Sequence, residues 1–251
     1  MTTHVPKIKF CGITSVDDAQ AAVAAGAWAI GLIFWPRSQR RCELAVAAEI
    51  AAAVKRRAEV VGVFVNPALD RLASTADAAG LTMIQLHGDE GPVFCGEAAR
   101  RTGCRVIKAA RVRGRADIQA LAAFRTDYHL LDSHTPGIPG GTGETFAWEL
   151  AGGARRRVPL VLGGGLTPAN VVEAIAAVHP YAVDVASGVE SSPGRKDARK
   201  LEAFAAAVRS EAHGSSSAAN EATAEAQASS SAANEATAEA HDASSEAFAT
   251  R

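Results

Sequence analysis

Short strand-like runs and longer stretches of helical period take turns along residues 1–209. The runs are KIKF (7–10), WAIGLIF (28–34), EVVGVFV (59–65), TMIQL (82–86), CRVIKA (104–109), YHLLD (128–132), PLVLG (159–163) and YAVDVA (181–186). Most are nearly continuous in apolar side chains, the pattern of strands buried on both faces; KIKF alternates polar and apolar. Between them, DDAQAAVAAG (17–26) begins with acids and stops at glycine, and LAVAAEIAAAVKRR (44–57) ends in bases, as helix termini prefer. ALDRLASTADAAG (68–80), PVFCGEAARRTG (92–103) and ADIQALAAF (116–124) follow. TPANVVEAIAAV (167–178) opens with Thr then Pro, a cap and a first-turn proline, and KDARKLEAFAAAV (196–208) closes the series.

Eight strand-then-helix units predict an α/β fold, a closed parallel (β/α)8 TIM barrel in one domain. At about 26 residues per unit the barrel is lean, because such folds run from about 200 residues upward. The rival is an open doubly wound sheet, which would carry a glycine fingerprint after its first strand; none is present. One connection breaks the rhythm. DSHTPGIPGGTGETFAWEL (132–150) is a long Gly/Pro loop with room for only a short helix at its end, and loops of that length are functional or disordered.

The remaining residues, 210–251, do not continue the pattern. SSSAANEATAEA occupies 215–226 and recurs at 229–240, with almost no large apolar side chain before Phe248. Nothing there offsets the entropy of ordering, so a disordered tail is expected beyond a 1–209 barrel domain. The tail also skews the charge. The whole chain carries −1, but residues 1–209 hold 25 Lys and Arg against 20 Asp and Glu. A mild, scattered positive balance suits a small anionic molecule and is too weak for a nucleic-acid footprint. No apolar run approaches the roughly 20 residues of a membrane span, and MTTHVPKIKF lacks the apolar core of a signal peptide; a cytoplasmic protein is expected. Cys11, Cys42, Cys95 and Cys104 lack zinc-site spacing, and in the cytosol they would be reduced.

If the fold is a barrel, its site lies at the C-terminal ends of the strands. The residues there are Cys11, Arg40 on the loop after the second strand, Gln85 and His87, Asp132, Gly164 and Gly165, then Asp184, Ser187 and Gly188. Glycine lets backbone N–H groups approach an anion, and the loops after strands seven and eight are where such barrels hold phosphate. Cys11 and Asp132 end strands one and six, across the mouth from one another. A thiolate can accept a proton and a carboxyl can donate one. Alternation puts Lys7, Lys9 and Cys11 on one face, where both ammonium groups would favour the thiolate. Each residue also has a plainer reading. A cysteine is often a small core side chain, Asp132 suits a turn or a cap, and Arg40 beside Arg37 and Arg41 suits a solvated basic loop. His87, with no carboxylate partner visible in the sequence, reads as a wall of the site.

KFCGIT, FWPRSQR, GVFVN, IQLHGDE, LLDS, GGTGETF, LGGGL, VDVASGVE and PGRKD, in this order over residues 7–209, closely resemble the phosphoribosylanthranilate isomerase family of tryptophan biosynthesis. The resemblance implies a barrel without cofactor or metal. It would convert N-(5-phosphoribosyl)anthranilate to 1-(2-carboxyphenylamino)-1-deoxyribulose 5-phosphate, an aldose–ketose (Amadori) rearrangement. It also implies Cys11 as general base, Asp132 as general acid, Arg40 on the anthranilate carboxylate, and phosphate on the glycines and serine of loops seven and eight. The expected partner is a small phosphorylated substrate, with no nucleic acid and no membrane, on a monomer or homodimer. Glu144 departs from the Lys or Arg found at that place in many relatives, which bears on the share of loop six in phosphate binding. A sister isomerase of histidine biosynthesis is the nearest alternative and uses an aspartate where this chain has Cys11. A phosphate-binding barrel without catalysis is the other alternative, against which the presence of both Cys11 and Asp132 speaks.

Overall fold

The computed structural model describes residues 5–133, 148–151 and 157–210. Most of the 132–150 loop, including Glu144, and the repeat tail beyond 210 lie outside the described residues.

Eight strands close into one parallel barrel. They are β1 (Lys7–Cys11), β2 (Ala29–Ile33), β3 (Glu59–Phe64), β4 (Met83–Leu86), β5 (Arg105–Val112), β6 (Tyr128–Ser133), β7 (Leu160–Leu162) and β8 (Ala182–Val185). Each pairs in parallel with the next, and β8 returns to β1 with Lys9 opposite Asp184. Closure leaves the barrel itself without an edge strand. Six helices pack outside: α1 (Val16–Ala24), α2 (Leu44–Val54), α3 (Leu69–Ala78), α4 (Pro92–Thr102), α5 (Arg115–Ala120) and α6 (Val171–Val178). A seventh, α7, covers 198–210. Two short strands after β8, β9 (Glu190–Ser192) and β10 (Arg195–Lys196), pair antiparallel. None of the described helices is long and apolar enough to cross a membrane.

Local chemistry sets the helix ends. The Ser15 hydroxyl accepts from Asp18 N–H at 3.2 Å to cap α1, and α4 starts on Pro92 and stops at left-handed Gly103 (φ 68°). The expected cap at Thr167 is displaced. α6 begins at Val171, and residues 167–170 form a turn held by the Asn170 side chain, which accepts from Thr167 N–H (2.8 Å) and donates to Gly165 O (3.0 Å). Asn170 thereby ties the start of the helix to the glycine loop.

Two layers of apolar packing share the strands between them. Side chains of one parity, such as Phe10, Ile30, Leu32, Ile84, Leu86, Leu131 and Val183, face the helices and meet Ile50, Leu72, Ile175 and Phe204. Those of the other parity, Ala29, Val61, Met83, Ile107, Ala109, Tyr128, Leu130, Val161 and Ala182, fill the barrel interior. That double burial is why the runs read as continuously apolar. At the N-terminal end of the barrel, Trp28 meets Tyr128 and Tyr181 edge-to-face and the two tyrosine rings are tilted, with ring centres 5.4–5.7 Å apart. The Lys7 ammonium lies over the Trp28 and Tyr181 rings, 5.5 and 5.2 Å from their centres.

Candidate active site

The interior parity runs on from the packed centre to the C-terminal ends of the strands, and there it changes chemistry. It leads to Cys11 on β1, Ile33 on β2, Val65 just past β3, His87 just past β4, Arg111 on β5, Asp132 on β6 and Ala186 just past β8. These side chains line one cavity together with Trp35, Ser38 and Arg40 of the β2 loop, Gly164, Gly165 and Leu166 after β7, and Ser187 after β8. Gln85 and Asp184, one interior step below the rim, line it too. The cavity therefore brings together all the sequence-predicted site residues except Gly188.

At Gly188 a Cβ would lie 2.0 Å from Leu166 O. This glycine allows the loop after β8 to press on the loop after β7, and it does not line the cavity. Gly164 and Gly165 have left-handed backbones (φ 83° and 70°), a conformation that side chains rarely adopt.

Cys11 is buried, with its sulfur packed against the β2 backbone. A Cβ at Gly31 would meet Cys11 Sγ at 2.7 Å and Lys9 Nζ at 3.2 Å. Lys9 is fully buried, and its ammonium donates to Asp184 Oδ1 at 2.8 Å. Burial works against the Lys9 charge, but Asp184 and Cys11 outweigh it, and its pKa is raised. Burial also pushes the Cys11 thiol up. Lys9 and Lys196 oppose that shift and Asp184 adds to it, with a net rise. The expectation holds for one lysine of KIKF and not the other: Lys9 pulls this pKa down, by less than the burial of the thiolate raises it, whereas Lys7 lies over the rings at the far end of the barrel.

Across the mouth, Asp132 is buried and its Oδ2 lies 3.0 Å from His87 Nε2; His87 Nδ1 lies 2.8 Å from Gln85 Nε2. His87 does have a carboxylate partner, one that the sequence hides because it stands two strands away. If the Gln85 amide donates to Nδ1, then Nε2–H donates to an Asp132 carboxylate. If the amide is reversed, Nδ1–H donates to it and Nε2 accepts from a protonated Asp132. Among the described residues, the buried Gln85 Oε1 has no hydrogen-bond partner.

Arg40 crosses over the end of β1. Gly12 makes that possible: its φ is 77°, and a Cβ there would sit 2.8 Å from Arg40 Cδ. The guanidinium lines the cavity and is also engaged within the chain. Nε donates to Glu190 Oε1 and Oε2 (2.9 and 3.1 Å), and Nη2 donates to Oε2 (2.9 Å). The same carboxylate takes Lys196, whose buried ammonium also donates to Cys11 O (2.6 Å) and Ala186 O (3.0 Å). Burial lowers the Lys196 pKa, with Glu190 opposing. PGRKD thus supplies a cation that fastens β9–β10 to the strand ends, a role that no spacing in the sequence signals. Arg111 was missed for a simpler reason. Strand five was expected to stop at Ala109, whereas it pairs with β6 as far as Val112 opposite Ser133. Continuing the parity from Ile107 and Ala109 would have reached it.

A closed ring of eight parallel strands, with its ionisable groups gathered at the C-terminal mouth, defines the class: a TIM-barrel enzyme. Residues 8–207 match the family model for N-(5'phosphoribosyl)anthranilate (PRA) isomerase. The N-(5'-phosphoribosyl)anthranilate isomerase of Citrifermentans bemidjiense is 49% identical over 195 residues, which cover 78% of this chain and 93% of that protein. The crystal structure of phosphoribosyl anthranilate isomerase from Thermotoga maritima superposes with a TM-score of 0.77 at 38% identity, covering 82% of this chain and 99% of that one. A phosphoribosyl anthranilate isomerase solved with reduced 1-(o-carboxyphenylamino)-1-deoxyribulose 5-phosphate matches over the same shares at a TM-score of 0.73 and 36% identity. The chain belongs to the PRA isomerase family and is an isomerase.

Proposed function

We propose that this enzyme converts N-(5-phosphoribosyl)anthranilate to 1-(2-carboxyphenylamino)-1-deoxyribulose 5-phosphate in tryptophan biosynthesis, with Asp132 as general acid and Cys11 as general base. Protonated Asp132 gives its proton to the furanose ring oxygen, and the ring opens to a protonated Schiff base. Cys11, as thiolate, then removes the proton from C2′, and the enolamine tautomerises to the ketone. Proton gain and proton loss occur at different atoms, so two groups on opposite sides of one cavity suit the chemistry. The observation that carries this reading is that Cys11 and Asp132, 121 positions apart, end β1 and β6 on the same interior face and line the same cavity. His87 supports it by offering Asp132 a partner in either protonation state. Gly164, Gly165 and Ser187 hold the phosphate, and Ile33, Val63 and Trp35 give the aromatic ring an apolar wall.

The test follows the loss of anthranilate fluorescence as substrate is consumed. Cys11→Ala and Asp132→Ala should each lower kcat far more than they raise KM. Near-full turnover in either variant removes the role given to that residue. Assaying the sugar isomerisation of histidine biosynthesis in parallel separates this activity from that of the sister enzyme.

A further inference from the structure

We infer that the buried Glu90–Lys108 ion pair is a positioning device: it fixes the turn after β4 so that His87 stays seated on Asp132. The effect on turnover rests on the function proposed above. Neither residue of the pair lines the cavity. Their side chains are almost fully enclosed, Glu90 at 2% and Lys108 at 5% exposure, with Glu90 Oε2 2.8 Å from Lys108 Nζ. A buried pair of this kind adds little net stability, because both charges have lost their water. What it holds is specific. Glu90 Oε2 accepts from Gly88 N–H (2.9 Å), and Lys108 Nζ donates to Gly88 O (2.7 Å). Both polar backbone groups of the residue directly after His87 are thereby gripped. Glu90 Oε1 reaches the other way and accepts from Asn66 N–H (2.7 Å), just past β3. Asn66, left-handed at φ 47°, closes the circuit, since its Oδ1 accepts from Asp89 N–H (2.7 Å). The turn has no slack, because a Cβ at Gly88 would lie 2.3 Å from Asn66 Oδ1 and 2.8 Å from Asn66 N. On its other side, His87 N–H donates to Phe64 O (2.9 Å). The backbone of His87 is thus held before and after the residue, while its ring must meet Asp132 at 3.0 Å and Gln85 at 2.8 Å. Asn66 ends GVFVN and Glu90 ends IQLHGDE, so two segments outside the chemistry share one task.

The test uses two variants. Glu90→Leu combined with Lys108→Met removes both charges at once and strands no buried ion. Asn66→Gly keeps the left-handed backbone and removes only the side-chain bonds to Asp89. Asn66 is exposed, so this second variant folds and reports whether or not the first one does. On N-(5-phosphoribosyl)anthranilate the double variant should lose roughly 10- to 100-fold in kcat, the scale of a catalytic group displaced by about 1 Å, with KM within about threefold. Asn66→Gly should lose about 2- to 5-fold in the same sense. Repeating both in a His87→Ala background separates positioning from general damage: there the losses should shrink to within about 1.5-fold, because the ring they serve is gone. Losses that multiply undiminished in that background, or that fall on KM, would overturn the inference. A second readout needs no turnover. Nitrogen NMR of the imidazoles, with the His87 signal assigned by its loss in His87→Ala, should show a single His87 tautomer in the parent. Tautomer exchange should appear in the double variant and, to a smaller extent, in Asn66→Gly. A His87 spectrum unchanged by either variant would overturn the inference as well. A parent enzyme inert on N-(5-phosphoribosyl)anthranilate overturns the proposed function, and the ring spectra still decide whether the pair positions His87.

Discussion

Lys9→Met isolates the pair on which the mouth of the barrel is built. Lys9 has no solvent exposure, and its Nζ stands 2.8 Å from Asp184 Oδ1, a carboxylate with 12% side-chain exposure. At an effective dielectric of about 20, two unit charges at that distance attract by about 6 kcal/mol. Taking both ions out of water costs several kcal/mol each, so the intact pair adds little net stability. Methionine keeps most of the apolar stem but strands the carboxylate, and breaking one side of a buried pair costs about 3–5 kcal/mol. At about 2–4 °C per kcal/mol for a domain of this size, Tm should fall by roughly 6–20 °C. Asp184→Asn alone strands the ammonium and should also destabilise. The double variant removes both charges and should be more stable than the sum of the single losses implies.

Denaturant unfolding of the four proteins, at one pH, measures this cycle. Cys11 gives a second readout of opposite sign in the two single variants. Lys9 pulls the thiol pKa down and Asp184 pushes it up, so iodoacetamide labelling of Cys11, followed by peptide mass, should slow in Lys9→Met and quicken in Asp184→Asn. A Lys9→Met protein within about 1 kcal/mol of the parent would refute the reasoning, because the largely enclosed Asp184 carboxylate would then cost far less than a broken pair should. Labelling rates that move together in the two variants would refute the electrostatic part.

Three further outcomes are expected. Burial holds the Cys11 thiol above the ordinary 9.0; the base works only when deprotonated, so kcat/KM should still be climbing as pH passes 9 and should drop as pH falls. A pH–rate profile already flat by about pH 7 would contradict this. Gly31→Ala puts a methyl 2.7 Å from Cys11 Sγ and 3.2 Å from the Cys11 Cα. Overpacking of this kind costs about 1–3 kcal/mol, and the displaced sulfur should lower kcat with little change in KM, as steady-state kinetics on the folded variant would register. We also propose that residues 211–251 contribute nothing to the barrel. Deleting them should leave Tm and kcat/KM at the parent's values, and a lower Tm by calorimetry would show that the repeats pack.

The sequence by itself determined the number, order and type of the main elements and the strand ends where the chemistry sits. Those are local matters. The spacing of apolar side chains decides between strand and helix, and Gly12 after Cys11, Gly103 after α4 and the glycines after β7 mark the turns. The family motifs worked for the same reason, since each is a contiguous segment around one strand end. Partnerships had to wait for the tertiary structure. Lys9 meets Asp184 across 175 positions, Arg40 meets Glu190 across 150, and His87 meets Asp132 across 45. None of these pairs is signalled by spacing, because they come into contact only when β8 closes on β1 and the strand ends form a ring. The tertiary structure added what single residues could not show: it tied Arg40 to a carboxylate of its own chain, gave His87 the partner it lacked on paper and set burial against the pull of Lys9 at Cys11. Arg111 lay between these cases. Its parity was written in the chain, but how far β5 extends was settled by its pairing with β6.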